Sequence, residues 1–194
     1  WGLCHAWTPA ALIEEEPIEP VTYNGVTFQV SDLKALMLTA YDSSRAVVIG
    51  GRCRAQQVER DENGRIKDLN CRDTNAGTFH VITANLLGRF NTGFAEDRTY
   101  NAQVWNQPVH GYTVDRMVEL EETEAIALLV AEPDGTESYP FNSEAVRWSE
   151  VEVTMQYVVE SFPSREPMLP NHADYLRTDR YHYVLELDVD GRII

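Results

Sequence analysis

The sequence predicts an α+β domain in which N-terminal helices pack on a largely antiparallel sheet. Three observations predict it. Two helix-forming runs, "CHAWTPAALIEE" and "DLKALMLTAYD", both precede Arg45. Alternating stretches such as "SEVEVTMQYVVE" and "RYHYVLELDVDGRII" dominate the rest. Asn-Gly and Asp-Gly pairs punctuate the chain, and strands joined by such tight turns run antiparallel.

Each element has its own reason. From Cys4 to about Glu16, Ala6, Ala10, Ala11, Leu12 and Ile13 favour a helix. Pro9 is tolerated only close to the first turn, so the helix starts between Cys4 and Thr8, and Pro17 and Pro20 end it. "VTYNGVTFQV" reads as a two-residue hairpin with β-branched arms. Ser31 is placed to cap a second helix with Leu33, Leu36, Met37 and Ala40 on one face. "DENG" reads as the turn of another hairpin. "GTFHVITANLLG" and "TYNAQVWNQPVHGYTVDRMVEL" read as mostly strand, with turns at Asn106–Pro108 and Gly111. "AIALLVAEPDGTESYPF" reads as a strand pair around Pro-Asp-Gly. In the last two strands, Val151, Val153, Met155, Tyr157 and Val159 share a face, as do Tyr181, Tyr183, Leu185, Leu187 and Val189. The final Asp-Val-Asp-Gly turn is followed only by Arg192 to Ile194. Residues 1–194 are therefore expected to be a single catalytic domain cut from a longer precursor at both ends.

Composition narrows the function. The 194 residues are 43% hydrophobic and 24% charged, as in an ordinary globule, and carry a formal charge of −15. That field repels nucleic acid and anionic lipid and favours basic substrates. No apolar run reaches the length of a membrane span. Cys53 and Cys71 lie on opposite arms of the "DENG" hairpin, where they can face each other at disulfide distance. Their pairing leaves Cys4 as the odd thiol and places the protein outside the cytosol.

"WGLCHAWTPAAL" sets that thiol at a helix start between Trp1 and Trp7. Thiolates are held by the free amides of a helix N-terminus and by a nearby imidazolium. His5 points about 100° away from Cys4 on the helix. His182 opposes the apolar face of its strand, His172 lies in the loop "PNHAD", and His110 follows Pro108 in a turn. His80, after a glycine-containing turn at the start of a β-rich run, is the candidate base, and Asn106 in "QVWNQP" its orienting partner. The order Cys, His, Asn, with tryptophan beside the Asn, is the papain arrangement. "GLCHAW" also fits the papain-like cysteine pattern.

"VWNQPVHGYTVDRM" closely resembles the surface peptide of the transglutaminase elicitors, cell-wall glycoproteins of Phytophthora with bacterial relatives. "WGLCHAWTPAA" is similar to their active-site segment, and "DTNAGTFHVITANLLG" and "YHYVLELDVDGRII" to further segments. The resemblance runs nearly end to end. It departs at His110, where oomycete members carry Arg, and at "TVDRM", and these departures put plant immune recognition of this copy in doubt. It implies a papain-like core and protein-glutamine γ-glutamyltransferase activity in the secretory or cell-wall compartment. Its partners would be proteins bearing glutamine and lysine side chains, or small amines. Cys4 would form a thioester with a glutamine side chain, His80 would shuttle protons, and Asn106 or, second, Asp97 would orient it. Trp1, Trp7 and Trp105 would wall the thioester from water. Family members are described as calcium-dependent; "DVDG" and "RDENGR" offer oxygens but lack the full calcium-loop pattern, and no paired Cys or His spacing marks a zinc site. Two readings compete: a cysteine protease or amidase, and a non-catalytic surface protein whose "WNQPVHGY" loop is a binding epitope.

Overall fold

The computed structural model describes residues 2–72, 74–99, 102–133, 138–162, 164–166 and 171–194, the side chains of 171 and 172 apart. Helix α1 (Cys4–Ile13) begins at the cysteine and ends before the first of the two prolines, with Pro9 inside it. The Asn-Gly hairpin forms as expected: β1 (Val21–Tyr23) pairs with β2 (Val26–Phe28), and Asn24 and Gly25 take the positive φ of 51° and 80° that such a turn requires. Helix α2 (Val30–Tyr41) starts earlier than Ser31 predicts. Gln29 and Asp32 form a reciprocal capping box there, which satisfies two amides where Ser31 would satisfy one.

Four strands make the main sheet in the order β3-β4-β5-β6, all antiparallel: β3 (Phe94–Asp97), β4 (Asn106–Leu120), β5 (Arg147–Val158) and β6 (Leu176–Leu187). The alternation in β5 holds: Val151, Val153, Met155 and Tyr157 are buried in one cluster with Leu87, Val109 and Leu185, and Tyr181, Tyr183 and Leu187 pack against it. A second cluster forms around Ile126, Tyr139, Trp148 and Val184.

Three readings of the middle of the chain are overturned. "GTFHVITANLLG" is helix α3 (Ala76–Thr83), running on as a π-helical turn, Ala84–Arg89. The Asn75 side chain accepts from the Thr78 amide and caps it, and the helix lays Phe79 and Leu87 on the sheet. "ETEAIALL" is helix α4 (Glu122–Leu129), not the first arm of a strand pair, and starts with a Glu121–Glu124 capping box. Asp134 and Gly135 of the proposed Pro-Asp-Gly turn lie outside the described residues. Lastly, Asn106–Pro108 and Gly111 are not turns. β4 runs through them with only a register irregularity between Val109 and Gly111. Gln107, Pro108 and Val109 are buried, so "WNQPVHGY" is not a loop epitope.

Cys53 and Cys71 are joined across a separation of 18 residues. The turn between them is smaller than a full hairpin: Arg60 and Ile66 form one bridge, and Asp61 Oδ1 accepts from the Asn63 and Arg65 amides. With so little regular structure from 43 to 68, the cross-link carries much of this segment's order. Replacing both cysteines by serine is expected to cost about 3 kcal/mol by the loop-entropy relation. A matching drop in the urea midpoint, absent when reductant is added to both proteins, checks it.

Candidate active site

Cys4 is the first residue of α1, half-buried, and the free thiol among the described cysteines. No side chain caps α1, so its first amides point at the sulfur's end of the helix unclaimed by a cap. One turn on, the fully buried Thr8 donates its hydroxyl to the Cys4 carbonyl at 2.9 Å and stands 3.3 Å from the Asn106 carbonyl. Another turn on, Leu12 lies against Gly93 together with the Val109 carbonyl, an approach so close that any side chain at Gly93 would collide with both. Helix α1 therefore runs alongside β4 in the same direction, with Cys4 beyond the Asn106 end. Thr8, which sequence reasoning missed, ties the first turn of α1 to the start of β4. Its signal was a small hydroxyl four residues after the cysteine, on the same helix face.

Asn106 and Asp97 face each other as the terminal pair of the β3–β4 ladder. Both predicted partners of the base thus sit beside the Cys4 turn. Asp97 is already engaged: its Oδ1 accepts from Thr99 N, Thr99 Oγ1 and Trp105 N, which folds the loop between β3 and β4. Trp105 is 49% exposed, its indole N–H donating to Gln103. Trp7 follows Cys4 on α1; its buried indole nitrogen has no partner among the described residues. Trp1 lies outside the described residues.

His80 Nδ1 is 2.9 Å from the Tyr183 hydroxyl, and Phe79 beside it stacks on Tyr181 and Tyr183. Tyr183 pairs with Val151, and Val151 with Met117. Among the described residues the candidate base thus contacts β6 rather than Cys4, Asn106 or Asp97, although Phe79 beside it packs on Tyr181, whose hydroxyl donates to Glu96, next to Asp97, at 2.6 Å. The physical reason is the misread helix: as a strand, this segment could carry an imidazole to the sheet rim, whereas α3 packs it on the face of β6. Burial holds the His80 pKa below the ordinary histidine value and pushes that of Tyr183 up to about 12, so the pair is neutral near pH 7. A depressed histidine favours the fold above its unfolded pKa, and that contribution is lost as pH falls from about 6.5 toward the folded value. His80→Ala is therefore expected to flatten this part of the stability–pH curve, read by thermal melts.

The other imidazoles are spread out. His5 Nε2 pairs with the Asp42 carboxylate at 3.0 Å, His182 Nε2 with Glu150 at 2.9 Å, and His110 stands exposed at the β4 irregularity. His172 lies in the short 3₁₀ turn Asn171–Tyr175 that leads into β6; its side chain is not described.

The two stretches considered for calcium do not suit it. Asp188 Oδ1 accepts from the Asp190 and Arg192 amides and Asp190 pairs with the Arg192 guanidinium at 2.6 Å, while Asp61 caps its own turn. Calcium requires six to eight oxygens directed at one point. These carboxylates are committed to backbone amides and arginine.

The model of the family described as "Transglutaminase elicitor" matches residues 1–194. The chain belongs to that family. Among solved structures it is similar to the crystal structure of the GP42 transglutaminase from Phytophthora sojae, at 34% identity and a TM-score of 0.76. The match covers 100% of this chain and 50% of that one, so the chain spans half the length of its structural relative. The fold of the transglutaminase elicitors, mixed helix and antiparallel sheet, is thereby shown for it. No curated protein matches. No helix among the described residues is long and apolar enough to cross a membrane.

Proposed function

We propose that this domain is a protein-glutamine γ-glutamyltransferase acting through Cys4, secreted into an oxidising compartment or cell wall. The observation that carries this reading is the placement of Cys4. It is the free thiol left by the Cys53–Cys71 bridge, at the uncapped start of α1 and tied by Thr8 to the Asn106 end of β4, in a chain matched end to end by the family.

The chemistry is a double displacement. The Cys4 thiolate attacks the side-chain amide carbon of a glutamine; the C–N bond breaks, nitrogen takes a proton and leaves as ammonia, and a thioester remains. A lysine amine then attacks the thioester carbon, loses a proton, and expels the thiolate, leaving an isopeptide. The Cys4 amide donates to the developing oxyanion, the strongest kind of contribution a main chain makes to acyl transfer. Water at about 55 M competes for the thioester, so transfer demands positioning and exclusion. Trp7 and Trp105 supply apolar surface for that purpose. The −15 charge favours a cationic lysine over an acidic acceptor.

Labelled cadaverine joined to a glutamine-bearing protein supports transfer; peptide cleavage without incorporation replaces it with the hydrolase reading. Replacement of His5, His80, His110 and His172 by alanine in turn identifies the proton shuttle. It is the one whose loss removes both incorporation and fast alkylation of Cys4.

A further inference from the structure

We infer that the face of β5 and β6 turned away from the main core carries a binding site for a divalent d-block cation, held by Glu150, Glu152 and His182. One ligating atom from each of the three lies within 4.8 Å of the others. Register explains why. Glu152 is paired directly with His182, and Glu150 with Val184, so the two carboxylates project on one side of β5 and the imidazole meets them from β6. Both strands pair without a bulge over this stretch, so the backbone holds the three at fixed spacing.

Glu150 is the anchor. It is only 8% exposed, and Arg116 Nε donates to its Oε2 at 2.9 Å, fixing the carboxylate while leaving Oε1 toward His182 Nε2 at 2.9 Å. An outer partner that holds one carboxylate oxygen while the other ligates is the usual support of a metal ligand. Among the described residues Glu152 makes no hydrogen bond or ion pair, and it shares a face with Glu150 two residues away. Two like charges so placed repel, and Arg116 is committed to only one of them. A dication between them and the imidazole relieves that repulsion.

The donor set selects the ion. One imidazole nitrogen with two carboxylates suits Zn²⁺, Co²⁺ or Ni²⁺, whereas Ca²⁺ and Mg²⁺ demand shells of oxygen. Zn²⁺ bonds of about 2.0–2.2 Å set tetrahedral ligands roughly 3.3 Å apart. Small rotations of Glu152 and His182, both toward solvent, gather the three ligands, and water completes the shell. This site lies on two strands remote from Cys4 and is independent of the transferase reading.

The test is calorimetric titration of ZnCl₂ into the Cys4→Ser chain, which removes the competing thiol, at about pH 7.5. One Zn²⁺ per chain is expected, unaffected by millimolar Ca²⁺. His182→Ala and Glu152→Gln should each weaken binding by about tenfold or more, the lower range seen even for outer-shell partners. Their melting temperatures should match the parent, since both side chains reach solvent; His5→Ala should bind as the parent does. A silent titration, an undiminished affinity in His182→Ala, or displacement of Zn²⁺ by Ca²⁺ overturns the inference.

Discussion

Cys4→Ala is expected to abolish amine incorporation while leaving the fold intact. Where a nucleophile of this kind has been removed from other acyl-transfer enzymes, turnover falls by on the order of 10⁴–10⁶-fold, because no other group forms the acyl intermediate. The structure makes the substitution clean. Cys4 is half-buried at the first position of α1, where its backbone, not its sulfur, carries the bond to Thr8. Alanine keeps that carbonyl and is the better helix former, so stability should change by less than about 1 kcal/mol. Incorporation of labelled amine, measured beside a thermal melt of the same protein, checks both halves. Undiminished incorporation would remove the sulfur from the mechanism.

The largest loss of stability is expected at Met155→Ala. Met155 is fully buried on β5, flanked by β4 and β6, and belongs to the cluster of Val109, Val151, Val153, Tyr157 and Leu185. Truncating it removes dispersion contacts from both neighbours and leaves a cavity that paired strands cannot collapse into. Such changes cost about 2–5 kcal/mol, a large part of the about 5–15 kcal/mol that holds a typical domain together. Val114→Ala, on the neighbouring strand but 45% exposed, should cost within about 0.5 kcal/mol. Urea denaturation of the pair checks the contrast; equal midpoints would mean that the sheet core is not as packed as described.

Elements whose signal is local were legible. The Asn-Gly hairpin is set by the positive φ at Asn24 and Gly25, and β5 by an alternation that puts Val151, Val153 and Met155 on one side. The Cys53–Cys71 bridge followed from the two cysteines flanking one turn. Helices α3 and α4 were not legible by the same means. "TFHVIT" is rich in β-branched and aromatic residues, and its intrinsic preference is for strand; the Asn75 cap and the burial of Phe79 and Leu87 on the sheet reverse it. "AIALLV" is a short apolar run that periodicity alone does not resolve, and the capping box of Glu121 and Glu124 was the overlooked clue.

The same division runs through the sites. The sequence by itself determined the class of fold, the odd thiol at the start of a helix, the family, and Asn106 at a strand end. Those properties reside in one residue or one short segment, and neighbours along the chain suffice to express them. Only the tertiary structure decided which groups meet. It packed His80 against Tyr183 on β6, brought Thr8 between Cys4 and Asn106, and set His182 opposite Glu152 across two strands. Such meetings depend on strand register and helix packing, and these are fixed by burying apolar surface across the whole domain.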